Sequence, residues 1–488
     1  MAADSREIVD RLAQMRKEFD GLGRLVTGAE ARSATAADME LRIFREVLAL
    51  GRKLLELFFL TRAASRPATP LAPDGTLLAE WRRRPTTYQS VFGKITFLRH
   101  RFFAAGQAGV SPLDEALSLP KRCYSSLLSD WAGHELTDAS FDASRRTLER
   151  ILDLELCKSA LETMVSEDAV DVDTFYEQKP APAKADEGPI LVAQADGAGV
   201  RLVNTEPSER TGHATSKREA IVTTVYTIDR YVRSPAQVAD ALLRDRPDAD
   251  CSPPGMRPAP VGKETRATLD GKEAALARLG DRVRARDGRH IQDRVALTDG
   301  SEALQDRTAS ALPDFTLVLD IMHVLTYLWP AAIALHGGWT SAACRLYVRT
   351  QLEALLAGQT QSVIDSMAER LSQAKLLPWR QKPVEAAIRY FTNHADFMHY
   401  DQYLARGWPI ASGVIEGACK HVIRDRLDRS GMKWARPGAH AMLQLRTVRI
   451  NDDWDAYQRF HRQQEHLRLY GSAATPDLPE AQLTSLAA

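Results

Sequence analysis

Three short apolar runs that each stop at an aspartate constrain this chain most: PILVAQAD ends at Asp196, DRVALTD at Asp299 and DFTLVLD at Asp320. Runs of this length, rich in Val, Ile and Leu and bounded by Asp-Gly or by a helical pattern, predict strands buried on both faces. REAIVTTVYTIDRYV, between the first run and the other two, adds a second and possibly a third strand. A helical pattern near Gly271 to Arg286 separates the first Asp-ended run from the others. A β-rich start followed by βα units predicts an α/β sheet rather than a helical bundle. From about Trp329 to Arg406 the pattern is Leu/Ala-rich and helical, and the segment from Ser234 to Arg266 is expected to be a surface insertion.

The regions before the sheet have a different character. Ile8, Leu12 and Met15, then Leu41, Phe44, Val47, Leu48, Leu54 and Leu55, recur at helical spacing, so residues 1–85 are expected to be mostly helix closed by the Pro-rich SRPATPLAPDG. TTYQSVFGKITFLRHRFFA predicts a hairpin, and from Pro112 to Asp168 helices resume. Residues 86–180 therefore fit either a helix-turn-helix DNA-binding domain or an ordinary helical bundle. EQKPAPAKADEGP marks a boundary. Beyond it the expected domains are a core of 186–330 and 407–460, a helical insertion of 331–406, and a tail of 461–488.

With 44% hydrophobic and 26% charged residues the chain has a globular composition. Its formal net charge is zero, so contact with phosphates must come from local basic patches. No apolar run reaches the roughly 18 residues of a membrane span. Leu54 to Leu60 and Tyr327 to Leu335 are expected to be buried helix pieces. The start, MAADSREIVDR, lacks a signal-peptide apolar region, and a cytoplasmic, nucleoid-associated location is expected. Five cysteines, at 123, 157, 251, 344 and 419, form no CxxC pair and are expected to be buried thiols.

In open α/β sheets reactive groups gather at the carboxyl ends of strands, where Asp196 and Asp299 fall. A third acid, Glu416, lies in a predicted helix capped by Ser412, with Lys420 and Arg424 on the same face at i+4 and i+8. Each of these residues also has a plain structural explanation, the aspartates as turn starters and Glu416 in a surface ion pair. Three converging carboxylates would repel unless a cation offset them, and hard oxygen donors suit Mg²⁺, with Mn²⁺ as a substitute. Two such ions about 4 Å apart support in-line phosphoryl transfer.

The stretches QADGAGV, VALTDG, DIMH and PIASGVIEGACKHVIRDRLDRSGMKW resemble the matching blocks of the ISKra-type insertion-sequence transposases. The resemblance runs from about Phe92 to about Phe460. It implies an RNase H-like core carrying a DDE triad, with Asp196, Asp299 and Glu416 as catalytic acids and metal ligands. Asp320, followed one helical turn later by His323, is the rival second acid; the resemblance makes this pair auxiliary to the site. It further implies double-stranded DNA, as transposon ends and target, for a partner, and a homo-oligomer on DNA. Paired cysteines often found near residue 100 in such proteins are missing from FFAAGQAGVSPLDEAL, which removes a zinc ribbon.

Between Gly417 and Arg436 stand Lys420, Arg424, Arg426, Arg429, Lys433 and Arg436 against Asp425 and Asp428. Such a cluster either grips phosphates in a salt-sensitive way or forms a solvated helical face. Besides a transposase, a nuclease that cuts without joining and a silent DNA-binding derivative fit these residues.

Overall fold

The computed structural model describes residues 2–203, 215–243, 256–338 and 340–471. The chain divides into two compact units, residues 1–177 with 453–488, and residues 178–452.

The first unit begins with α1 (Ala2–Thr27), α2 (Ala29–Ser33) and α3 (Ala36–Ala63). The ion pairs Arg11–Glu56 (3.6 Å) and Lys53–Glu18 (2.6 Å) set α1 and α3 antiparallel. The hairpin β1 (Glu80–Ser90) and β2 (Gly93–Phe103) follows, turning at Val91-Phe92. It starts inside the stretch expected to be helical, because Trp81 to Pro85 are paired residue for residue with Leu98 to Phe102. Phe59 of α3 stacks on Phe97 of β2 with ring centroids 4.2 Å apart, which anchors helix to hairpin.

Five helices complete the unit: α4 (Pro112–Ala116), α5 (Ser126–Asp138), α6 (Phe141–Leu152), α7 (Lys158–Asp168) and α8 (Val172–Gln178). Ser125 and Ser140 cap α5 and α6 by accepting from the Leu128 and Ala143 amides. The chain returns to this bundle through the helix Trp454–Tyr470. Residues 461–470, expected within the tail, belong to that helix, which Trp454 Nε1 fastens to Asp130 at 2.6 Å and His461 Nδ1 to Asp171 at 2.6 Å.

The second unit is a five-stranded mixed sheet between helical layers. Its strands are β3 (Ile190–Val203), β4 (Thr215–Ile228), β5 (Val261–Thr268), β6 (Asp293–Thr298) and β7 (Thr316–Leu319), in the order β5-β4-β3-β6-β7. β3, β4 and β5 pair antiparallel, whereas β6 and β7 run parallel to β3. Alternation along β3 sends Ile190 and Val192 into one core and Leu191, Ala193 and Ala195 into another. The second core is closed by α10 (Lys272–Arg286) and α11 (Glu302–Ala311). The first is closed by α9 (Pro235–Leu243), α12 (Ile321–His336), α13 (Ala342–Leu356), α14 (Thr360–Gln373), α15 (Pro378–His394) and α16 (Tyr400–Ala405). Helices α17 (Gly413–Cys419) and α18 (Arg436–Ile450) end the unit.

Two expectations change here. The segment read as a surface insertion contains α9 and β5, with residues 244–255 outside the described residues. β5 is the sheet's edge, and its first three residues, Val261 to Lys263, are exposed. Its Glu264 is nevertheless buried against Arg282 at 2.8 Å. β3 also does not end at Asp196; it continues to Val203 beside β4, so only its parallel pairing stops, at Gln194 opposite Leu297.

Candidate active site

Asp196 shares the even-numbered face of β3 with Ile190 and Val192, just beyond the point where β6 leaves the ladder. One of its oxygens accepts from the Gly197 amide at 2.7 Å and the other from the Cys419 thiol of α17 at 3.4 Å. Burial pushes this carboxyl above its ordinary range. The Gly197 and Cys419 bonds oppose that shift, and the neighbouring charge of Asp299 adds to it.

Asp299 follows β6 directly and closes a tight turn by accepting the Ser301 amide at 2.8 Å. Gly300 has φ of +79°, and a Cβ there would meet Tyr390 Oη at 2.6 Å. The turn is gripped by α15: Tyr390 Oη donates to the Asp299 carbonyl at 2.9 Å, and His394 Nε2 lies 3.0 Å from that of Gly300. The helical region thus fixes the backbone that carries Asp299.

Asp320 is fully buried at the start of α12 and is saturated. Its Oδ1 accepts from the Met322 amide at 3.0 Å and the Ser412 amide at 3.1 Å. Its Oδ2 accepts from Ser412 Oγ at 2.6 Å and bonds His323 Nδ1 at 2.8 Å. Burial works against its charge, yet the bonds from His323 and Ser412 prevail and hold the carboxyl below its usual range. His323 is raised in turn, first by the Asp320 bond against the effect of burial, and then by the charges of Asp320, Asp299 and Glu416.

Glu416 is exposed on α17, and its Oε1 lies 3.2 Å from Ser412 Oγ. A hydroxyl has one hydrogen, and the shorter contact assigns it to Asp320, so an oxygen lone pair of Ser412 faces Glu416. Ser412 does occupy the position before α17, but its hydroxyl caps no amide there, because Asp320 takes it. Ligand atoms of Asp320, His323 and Glu416 lie within 4.8 Å of one another; among the described residues Asp196, Asp299 and Glu416 do not form a group that tight.

After Cys419 the helix widens into a π turn over Lys420–Arg424. The carbonyls this loosens are met by Arg446 of α18, which donates from Nε to Val422 at 3.0 Å and from Nη2 to His421. Lys420, Arg424, Arg429, Lys433 and Arg436 are exposed, with Arg436 Nη2 also donating to the Leu269 carbonyl at 3.1 Å. Arg426 must be removed from the phosphate-contact set: it is fully buried, with its guanidinium 5.0 Å from the Trp434 ring centroid and Nη1 on Met432 Sδ at 3.2 Å. Trp434 is itself buried and tied to Leu427 through Nε1 at 3.1 Å, and Trp408 and Trp454 are core residues too.

Of the residues unforeseen in the sequence, Tyr390, His394, Cys419 and Arg446 act on the site through backbone carbonyls or a single thiol. Their types carry no motif. Cys344 and Cys419 are buried as expected, whereas Cys123 and Cys157 are exposed, and Cys251 lies outside the described residues. Among the described residues no helix is long and apolar enough to cross a membrane.

No protein-family model and no curated protein matches the chain. Among solved structures it is similar to the Drosophila P element transposase strand transfer complex, with a TM-score of 0.28 and 12% identity over 68% of this chain and 92% of that one.

Proposed function

We propose that the chain is a DDE transposase of the ISKra insertion-sequence type, cutting DNA at transposon ends and joining the 3′-hydroxyl to target DNA. The observation that carries the proposal is the division of labour among the four acids. Asp320 has every lone pair committed to a protein donor, so it serves as a positioning residue. Asp196, Asp299 and Glu416 come from a strand, a post-strand turn and a neighbouring helix, and the charge of Asp299 reaches Asp196. The blocks shared with ISKra-type sequences support the assignment of roles. A sheet of three antiparallel strands continued by two parallel ones supports an RNase H-like core.

The donor set fits Mg²⁺ or Mn²⁺: the three acids offer only hard oxygens, and Glu416 faces a lone pair of Ser412 that a nearby cation would offset. Asp196, Asp299 and Glu416 would hold one or two ions. Bound there, divalent metal would activate water or a 3′-hydroxyl and stabilise the leaving oxygen. The protein's own contributions are positional and electrostatic. Tyr390 and His394 hold the Asp299 turn, and Asp320 orients His323 and Ser412. The His323 ring lies within reach of the charges of Asp299 and Glu416. Lys420, Arg424, Arg429, Lys433 and Arg436 would hold DNA phosphates, residues 86–180 would supply further DNA contacts, and residues 331–406 form the helical insertion.

The test is cleavage and joining of a linear DNA carrying the sequences that flank the gene, in Mg²⁺ and in EDTA. Metal-dependent nicking followed by insertion into a target plasmid is expected. Nicking without joining would make the chain a nuclease, specific binding without nicking a silent derivative, and full activity in EDTA would exclude metal catalysis.

A further inference from the structure

His323 stands beside the acids with one ring nitrogen bonded and the other able to take a ligand. Its Nδ1 lies 2.8 Å from Oδ2 of Asp320. An ionised carboxylate can only accept, so Nδ1 carries the hydrogen of that bond and the lone pair of the neutral ring falls on Nε2. Among the described residues Nε2 has no hydrogen-bond partner, and the side chain is 38% exposed. Glu416 is similarly uncommitted. Among the described residues its one polar neighbour is Ser412 Oγ, 3.2 Å from Oε1, which turns a lone pair to it.

Ligand atoms of Asp320, His323 and Glu416 lie within 4.8 Å of one another. Two donors on one tetrahedral zinc ion stand about 3.4 Å apart, a gap that small rotations of two side chains reaching the surface can close. A carboxylate on the far nitrogen of a histidine fixes the ring and raises its basicity toward metal, which is the place Asp320 occupies. The charges of Asp320, Asp299 and Glu416 reach the ring, and a dication feels them about twice as strongly as a proton does.

We infer that His323 Nε2 and a carboxylate oxygen of Glu416 form a second, inhibitory metal site, selective for a transition-metal dication such as Zn²⁺, with Asp320 holding the ring from behind and water completing the shell. The site shares only Glu416 with the three-acid set. Its imidazole decides the metal: Mg²⁺ keeps to oxygen donors and its own waters, whereas Zn²⁺ takes nitrogen and oxygen together and binds such a pair more tightly than Mn²⁺ does. Zn²⁺ seated on His323 withdraws Glu416 from the Mg²⁺ set, so micromolar Zn²⁺ would halt DNA nicking in millimolar Mg²⁺. That consequence rests on the proposed function; the binding of Zn²⁺ does not.

The experiment is calorimetric titration of the full-length chain with ZnCl₂ in excess Mg²⁺, without DNA. Wild type should show a saturable site whose affinity falls at least about tenfold in His323→Gln and in Glu416→Gln, with the circular dichroism of both unchanged because both side chains reach the surface. Nitrogen NMR of the chain labelled with ¹⁵N-histidine identifies the bound atom: Zn²⁺ should shift Nε2 of His323 and leave the hydrogen on Nδ1. No saturable site in excess Mg²⁺, equal affinity in either variant, or metal on Nδ1 would each overturn the inference. In the nicking assay, inhibition of wild type should follow the same Zn²⁺ concentrations as binding, and nicking that persists with the site filled would remove its inhibitory role. A chain that binds Zn²⁺ as described but nicks no DNA would retire the transposase reading and leave the metal site standing.

Discussion

Replacing Ser412 by alanine is the sharpest probe of how the site is held. The Ser412 hydroxyl donates at 2.6 Å to an oxygen of Asp320, a carboxylate with no solvent exposure. A hydrogen bond to a buried charge contributes about 1.5–3 kcal/mol, and no water can take the vacated position without opening the core. Asp320 would keep its bonds to His323 and to the Met322 and Ser412 amides, so the segment should stay folded but open more often. A loss of about 2 kcal/mol corresponds to roughly 30-fold faster exchange of the Met322 amide, which bonds the same carboxylate. Hydrogen exchange read by mass spectrometry on peptides covering Leu319 to Val324 measures this locally. Ser412→Thr retains the hydroxyl and should restore most of the protection. Exchange within threefold of wild type in the alanine variant, or no rescue by threonine, would refute the view that Asp320 is fixed by saturation of its lone pairs.

Arg426→Ala should lower the melting temperature through a loss of about 2–4 kcal/mol, because it empties a buried site over Trp434, whereas Lys420→Ala and Arg424→Ala should leave melting unchanged. Under the proposed function the latter two weaken DNA binding and flatten its salt dependence by about 0.9 per lost phosphate contact in a filter-binding titration. Gly300→Ala combines a left-handed φ with a clash on Tyr390 Oη, so metal-dependent nicking should drop at least about tenfold, and Tyr390→Phe in the same chain should recover part of it. In the first unit, His461 is raised above 6.5: burial lowers it, but the Asp171 bond and the charges of Asp168, Asp171 and Glu465 outweigh that. Asp171 is held below 3.8 by His461 and Arg468 despite burial. The Asp171 contribution is present above its unfolded pKa and lost as pH falls through the folded one; that of His461 is present below 6.5 and lost as pH rises through its folded pKa. The pair should therefore fasten the C-terminal helix best between these limits, and the His461 ring resonance should titrate above 6.5 in wild type and lower in Asp171→Asn.

The parts of the fold legible in the sequence were those whose side chains face a single environment. β3, β6 and β7 are buried on both faces, so their apolar runs stood out, and Asp196, Asp299 and Asp320 marked where those runs change character. β5 does not stand out, because VGKETRAT shows no apolar run and its Glu264 is buried only through an ion pair with Arg282 of the next helix. A count of charges carries no direction: Arg426 stands among exposed basic residues in the sequence, and only the packing of Trp434 and Met432 turns it inward. Ser412 stands before α17 as the sequence implies, but its hydroxyl goes to Asp320, 92 residues earlier in the chain. The π turn left no trace in its own residues. Its support, Arg446, comes from the following helix.

The most direct measurement of the central claim compares Asp196→Asn, Asp299→Asn, Glu416→Gln and Asp320→Asn at equal folded concentration, scoring DNA binding and nicking of the flanking-sequence substrate in Mg²⁺ and Mn²⁺. The assignment predicts that the first three bind DNA as wild type does and lose nicking by several orders of magnitude in both metals, while Asp320→Asn retains a measurable fraction. Wild-type nicking by Glu416→Gln, or nicking kept by Asp299→Asn and abolished in a folded Asp320→Asn, would contradict it.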